Sequence, residues 1–535
     1  MTTLPQPSLA SRDFSLLKPV LGLILILGFS FLIYAPALKG KFILDDRLWI
    51  PQNKGFESRE TLTYLWTHPF AFEAYQPLTS SLFWIEHRIL GDHTLGYHFV
   101  SVTLHAANAV LIGLLLSQLA VPGAWLAAFL FLVHPLQVES VAYITEQKNV
   151  LSLFFSLLCV LAYARFSGWE DKIHRHEWKF YILSVVLFAC ALLSKAVTCT
   201  LPGTLFLLLW WKRERVSRLD VATLVPFFLL GLCLGLLAIG VEDFMRSPDV
   251  HLKGSLFDRF LIAGHALWFY AAKLLWPADL TLIYPPWTLR PPQIFFWIPS
   301  LLLGGLLWFS RSKIGRGPLA AFLYFVGTLA PTLGFLNVNF MEHTYVSDHW
   351  LYHASVGIFC LVSALWEKVK TKRDVLSGFS VGVILVLGFL TWKQCFLYRK
   401  EETLWRHTLT SNPRAAIAHN NLGAILYRQG NLLEAKGHYR RALRLKPDYV
   451  DAHNNLAIVL LNQQRWDEAI GHLEQALAIR PHDTVAHTSL GIALVGKGNL
   501  KEAIVRFAQA ARQEPWNPEI QANLKSAFIR AGRGT

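Results

Sequence analysis

Two adjacent acids, Asp45 and Asp46, follow the first apolar run of a chain in which charge is otherwise sparse. Neighbouring carboxylates can divide work, one ionised as a general base and the other positioning it or binding a cation. The plainer reading is a solvated turn that caps a helix from Leu48 onward. A second set of polar residues, His134, Glu139, Lys148, Asp348 and His349, falls where apolar runs begin or end. His134, just before Pro135, can cap exposed carbonyls, and Lys148 can snorkel to an interface. Lys195 lies between two short apolar runs; a cation there is expensive in lipid and belongs in a cavity or against an anion. Asp348 and His349 offer an acid and an imidazole, although adjacent side chains rarely point one way. His105 and His265 read as satisfied core histidines.

Composition dictates the scaffold for these residues. The 535 residues are 53% hydrophobic and only 16% charged, against roughly 25% charged in soluble proteins. An ordinary soluble protein is excluded. A net charge of +14 would suit a nucleic-acid binder, but many Lys and Arg sit in short loops between apolar runs, where they act as topology signals. The run at 20–38 is longer than a signal-peptide core, and more runs follow, so it reads as a span. Further apolar runs lie near 97–119, 121–134, 149–166, 179–194, 196–211, 220–240, 258–277, 293–310, 318–336, 350–366 and 374–392. Basic loops at 165–179, 211–218, 311–316 and 368–373 are expected on the cytoplasmic face, which makes 258–277, with Lys273 and Pro277, re-entrant or interfacial. About 11 crossings remain, putting the C-terminus on the outer face with the polar loop 39–96. The six cysteines show no CxxC pair, so neither a disulfide framework nor a zinc site is expected.

The last part of the chain repeats every 34 residues. Pro413, Pro447, Pro481 and Pro515 keep register with Leu422/Gly423, Leu456/Ala457, Leu490/Gly491 and with Tyr439, Leu473, Phe507, which is the tetratricopeptide repeat (TPR) pattern. Repeats are expected at 416–449, 450–483 and 484–517 with a closing helix 518–530. The fold class is therefore all-α: a cytoplasmic N-terminus at 1–17, a polytopic membrane domain over 18–392, and a TPR solenoid over 393–535. Asn421, Asn455, Ser489 and Asn523 share one position of the repeat, and such amides can hydrogen-bond the backbone of an extended acceptor peptide. Asn is also simply common there.

The segments Phe42-Ile43-Leu44-Asp45-Asp46-Arg47, Tyr75-Gln76-Pro77-Leu78-Thr79 and Leu104-His105-Ala106-Ala107-Asn108 carry a family resemblance. So, above all, does His134-Pro135-Leu136-Gln137-Val138-Glu139-Ser140 running into Glu146-Gln147-Lys148-Asn149. Together with Leu193-Ser194-Lys195 and Val346-Ser347-Asp348-His349, they resemble bacterial relatives of the transmembrane and tetratricopeptide repeat-containing (TMTC-type) proteins over essentially the whole chain. The resemblance implies a GT-C glycosyltransferase fold and transfer of mannose from a polyprenyl-phosphate donor to Ser or Thr of a protein. This chain departs from the eukaryotic pattern at Lys148, Asn149 and His349, where Arg, Asp and Arg or Lys are usual.

Sugar transfer with inversion needs a carboxylate to take the acceptor proton and cations or N–H groups on the departing phosphate. The resemblance accordingly implies Asp45 and Asp46 as catalytic. It places His134, Glu139, Lys148, Lys195, Asp348 and His349 at the donor phosphate or sugar. Asn421, Asn455 and Asn523 are the candidates for the acceptor. No covalent cofactor is expected, and a divalent metal stays open. The expected location is a bacterial inner membrane, N-terminus cytoplasmic and TPRs outside, with bilayer, lipid-linked sugar and peptide acceptor as partners and no nucleic acid. The alternative is a non-catalytic membrane-anchored TPR scaffold for envelope assembly. A transporter fits less well, because polar residues concentrate in the outer loops.

Overall fold

A computed structural model describes residues 22–50, 59–71, 74–168, 177–213, 215–245, 255–336, 339–369 and 373–532. The N-terminal segment 1–17 and the centres of the basic loops at 169–176 and 370–372 lie outside the described residues. Every regular element among the described residues is a helix. The chain divides into two compact units, the first ending at Glu401 and the second holding Glu402 onward.

In the first unit, six helices are long and apolar enough to cross a membrane: Thr94–Gln118, Ile144–Ser167, Arg218–Met245, Gln293–Ile314, Asp348–Val369 and Gly378–Arg399. They sort by burial. The spans Thr94–Gln118, Ile144–Ser167 and Asp348–Val369 are more than half buried, whereas Gln293–Ile314 is 6% buried. Its outward face carries Leu301 and Phe309, 70% and 81% exposed, which only a lipid environment satisfies. Shorter apolar helices are Gly22–Ile33, Trp178–Ser194, Ala196–Lys212 and Gly317–Thr332. Among the described residues the first ends at Ile33, short of the expected end at 38, because the chain turns there and Pro36 leads into the 3-10 turn Ala37–Lys39. The helix Leu256–Leu275, expected to be interfacial or re-entrant, is not among the six.

The inner helices are clamped by polar side chains. His105 Nδ1 meets the Tyr352 hydroxyl at 2.8 Å, and the Asn108 amide donates to Val150 O at 2.9 Å and to the same hydroxyl at 3.3 Å. These bonds pin three helices in one register, although the Asn108 side-chain oxygen is buried without a hydrogen-bond partner. His105 is thus a core histidine, and His265 is sandwiched between Trp287 and Phe296. The pair Ala124–Val133 and Pro135–Ala142 bends by 56° at His134. A residue before proline prefers extended backbone, and His134 has ψ 131°.

The second unit stacks helix pairs Ala416–Arg428 with Leu432–Leu445, Val450–Asn462 with Trp466–Ile479, and Thr484–Gly496 with Leu500–Gln513, closed by Pro518–Gly532. A Cβ on Gly423 would lie 2.7 Å from the Tyr439 ring and one on Gly491 2.6 Å from Phe507. The middle repeat tolerates Ala457 because its partner is the smaller Leu473. A further column runs through the repeats: the Nε2 atoms of His419, His453 and His487 meet the carbonyls of Pro413, Pro447 and Pro481 at 3.2, 3.0 and 2.9 Å. Gln521 does the same to Pro515 at 3.0 Å. Carbonyls freed where each proline stops a helix are thereby satisfied.

Candidate functional site

The two acids separate completely. Asp46 is fully buried, and its carboxylate accepts from Thr145 N at 2.7 Å and Ile43 N at 3.1 Å. It clasps the loop after the first helix to the first turn of the span Ile144–Ser167, and burial pushes its pKa up to about 8 against the pull of those N–H groups. Asp45 is exposed. It stands at the N-cap position of the short helix Asp46–Trp49 but makes no capping bond, so the helix-cap reading has no support. The protein crowded round Asp45 raises its pKa, while Lys148 and the Tyr143 hydroxyl pull it back. Leu44, just before it, holds φ +50°, a left-handed backbone that costs a leucine roughly 1 kcal/mol. Asp45 and Asp46 themselves have helical backbone, in which successive side chains diverge by about 100°.

Behind Asp45 lies a buried ionic cluster. Glu146 bridges two cations, with Lys148 Nζ at 2.9 Å from Oε1 and Lys195 Nζ at 3.7 Å from Oε2. The Asn149 amide donates to Glu146 at 2.6 Å, and Lys195 donates to the Asn149 carbonyl oxygen. Lys195 emerges from its span in extended backbone, and the Thr79 hydroxyl holds the preceding Ser194 carbonyl at 2.9 Å. Burial pulls its pKa down to about 8, opposed by Glu146. Its chemistry is that of an ammonium held ready for an anion.

Lys195, Asn149, His349, Gln76 and Glu242 line one cavity. Thr200, Thr328 and His353 also line a neighbouring apolar groove walled by Leu115, Leu153, Leu157, Leu207 and Val356. A cavity that holds Lys195 next to an apolar groove suits an amphiphile with an anionic head.

His349 is paired with Glu139 instead of with Asp348: Nδ1 lies 2.8 Å from Glu139 Oε1, which also accepts from the Ser347 hydroxyl at 3.2 Å. Ser347 N donates in turn to the Tyr270 hydroxyl at 3.1 Å. Asp348 is buried in the turn Asp348–Trp350. His134 is spent on the backbone, Nδ1 accepting from Leu136 N at 3.3 Å and Nε2 donating to Leu274 O at 3.1 Å. It fixes the bend and leaves no nitrogen for a donor phosphate, which corrects the expectation that it binds one. Cys159, Cys190, Cys199, Cys233, Cys360 and Cys395 are all free thiols, and no group of three or more metal-ligating side chains occurs among the described residues.

The structure thus brings together Asp45, Lys148, Lys195, Glu139 and His349, and sequence reasoning missed the residues that join them. Glu146 was legible only as part of a motif; an acid two positions before Lys148 at the edge of an apolar run is the signal that marks it. Ser347 was likewise legible only within the motif around Asp348, and Tyr143 carried no signal. In the repeats, Asn421 and Asn455 are half-buried and belong to a side-chain chain: Asn455 donates to Asn420 at 3.0 Å and Asn420 to Asn421 at 3.4 Å. Asn523 is half-buried and Ser489 buried. These amides are partly committed to one another.

Fold and site together define an all-helical protein with several membrane-length apolar helices, a buried acid–cation cluster and C-terminal repeats. Residues 414–481 and 448–513 match the tetratricopeptide repeat family. The chain is 28% identical over 497 residues to protein O-mannosyl-transferase TMTC4 of Mus musculus, covering 78% of this chain and 65% of the relative. It is 26% identical to the Homo sapiens TMTC4, covering 79% and 66%, and 24% identical to protein O-mannosyl-transferase F38B6.6 of Caenorhabditis elegans, covering 79% and 62%. The resemblance to TMTC-type protein O-mannosyltransferases therefore holds over more than three quarters of the chain, which spans just under two thirds of these relatives' length.

Proposed function

We propose that the protein is a membrane glycosyltransferase that moves a sugar, mannose by analogy with its relatives, from a polyprenyl phosphate to Ser or Thr of a protein held by the repeats. The observation that carries this reading is the Lys195 cavity, which shares wall residues with an apolar groove, together with Asp45, an exposed acid that caps nothing and feels Lys148. The prenyl tail takes the groove and the phosphate takes Lys195, where a preorganised cation stabilises the charge of the departing group. Asp45 accepts the hydroxyl proton as that oxygen attacks the sugar carbon. The half-buried amides of Asn421, Asn455 and Asn523 contribute to holding an extended acceptor. The same reading puts loop 39–96 and the repeats both outside, an orientation that the basic loops support, in a bacterial inner membrane.

The test uses the full chain in lipid nanodiscs with polyprenyl-phosphate [³H]mannose and a Ser/Thr-rich peptide library. Asp45→Asn is expected to lower turnover by about a hundred- to ten-thousand-fold at unchanged Tm, because the amide keeps the shape but accepts no proton. Asp46→Asn, with an NH₂ forced against a backbone N–H, loses thermal stability instead. Full turnover in Asp45→Asn sinks the base assignment. An inactive wild-type chain that still captures envelope proteins through its repeats favours the scaffold.

A further inference from the structure

The Glu139–His349 pair goes unused in the transfer step described above. Its form is specific. Glu139 Oε1 receives both the His349 ring and the Ser347 hydroxyl, while Glu139 Oε2 is buried without a hydrogen-bond partner. Nδ1 also lies 2.9 Å from the Ser347 hydroxyl, so that nitrogen is held by two protein partners. Nδ1 is therefore committed to the protein, and the ring itself lines the chamber that holds Lys195. The face of Phe340 edges onto the imidazole at 5.7 Å and keeps it from swinging away. The nitrogen left for the chamber is Nε2.

We propose that His349 is the acid that meets the leaving phosphate and that Glu139 is its positioning residue. This rests on the transferase reading and deepens it. In the step, the acceptor oxygen bonds to the sugar carbon and gives its proton to Asp45. The carbon–oxygen bond to the phosphate breaks, its electron pair staying on the phosphate oxygen, and His349 Nε2–H donates its hydrogen bond, or its proton, to that oxygen. Lys195 supplies charge to the same group but at a distance set by Glu146, whereas the imidazole supplies a directed donor. The division fits the two buried carboxylates: Glu146 holds Lys148 and Lys195, while Glu139 holds the His349 ring. The other charged or titratable groups facing His349 are Glu146, whose carboxylate feels it electrostatically, the adjacent Asp348, and Lys195, Glu242 and His353, which line the chamber.

The experiment measures binding of geranyl phosphate and mannose transfer by the full chain in nanodiscs between pH 5.5 and 8.5, in wild type, His349→Asn and Glu139→Gln. Asparagine keeps a donor for Glu139 at the Nδ1 position and removes Nε2; glutamine keeps the acceptor and removes the charge. The phosphate's own titration is common to all three and cancels in ratios. The wild-type to His349→Asn affinity ratio is expected to be well above one, because asparagine offers the chamber no ring nitrogen. Glu139→Gln is expected to lose part of the same affinity at unchanged Tm, because a neutral acceptor holds the ring less firmly. His349→Asn is expected to cut turnover about a hundredfold. A ratio near one at every pH, with transfer intact in wild type, overturns the His349 proposal alone. The expected binding pattern with no transfer by wild type overturns the transferase reading instead. A role for Glu139 in folding only would lower Tm and leave the affinity of the folded protein unmoved.

Discussion

Glu86 lies on the helix Pro77–Leu90 and is 4% exposed. Gln147 donates to its Oε1 at 3.1 Å, while Glu86 Oε2 and Gln147 Oε1 are both buried without a partner. A protonated Glu86 turned towards Gln147 satisfies both orphans at once, and burial pushes its pKa up to about 8. The unfolded value is about 4.3, so the folded state binds the proton more tightly. Stability is then greatest below pH 4.3 and falls as pH rises through 8. Glu86→Gln, neutral throughout, is expected to match wild type in Tm near pH 5 and to exceed it increasingly up to pH 9, measured by nanodisc thermal melts. A constant difference across that range would mean that Glu86 is ionised. The residue scale is also where the sequence is least legible. Asp45 and Asp46 are equivalent on paper, and only the two backbone N–H groups that converge on Asp46 separate them. His134, in the most specific motif, turned out to hold a bend because no spacing rule reveals where a ring's two nitrogens point.

At the scale of elements the repeats were the most legible part, since each register position carries a packing rule. Glycine stands where the facing side chain is Tyr439 or Phe507 and alanine where it is Leu473. The rule makes a prediction by exchange. Gly491→Ala puts a methyl 2.6 Å from the Phe507 ring, and overpacking of this kind costs about 1–3 kcal/mol. Phe507→Leu alone opens a cavity. Together they recreate the Ala457/Leu473 pair, so the double variant is expected to recover at least half of the summed loss in urea melts of the repeat unit within the full chain. Additive losses would show that the glycine answers to something other than the ring. The histidine column on the proline carbonyls escaped the sequence reading although its 34-residue spacing was visible, because the pattern is known by its small and large residues and not by this hydrogen bond.

For the whole molecule, hydropathy separated membrane-like from repeat sequence, but it could not tell inner helices from outer ones. Thr94–Gln118 and Gln293–Ile314 both pass as spans, yet the first is 56% buried and the second 6%. The difference lies in sparse polar residues, His105 and Asn108 on the first, which need partners and so face inward. Short helices such as Trp178–Ser194 and the bent pair at His134 blur any count, so orientation has to rest on charge. Arg311, Lys313 and Arg316 close one helix and open the next, and Lys212 and Arg213 end another, so these ends are expected together on the cytoplasmic side. In a chain stripped of its six cysteines, single cysteines placed at exposed Lys41 and at exposed Glu474 are then expected to react with an impermeant maleimide from outside intact spheroplasts. One placed at exposed Lys313 is expected to react only after lysis. Labelling of Lys41 and Glu474 from opposite faces would remove the arrangement in which an acceptor held by the repeats can reach Asp45, and with it the proposed transfer to protein.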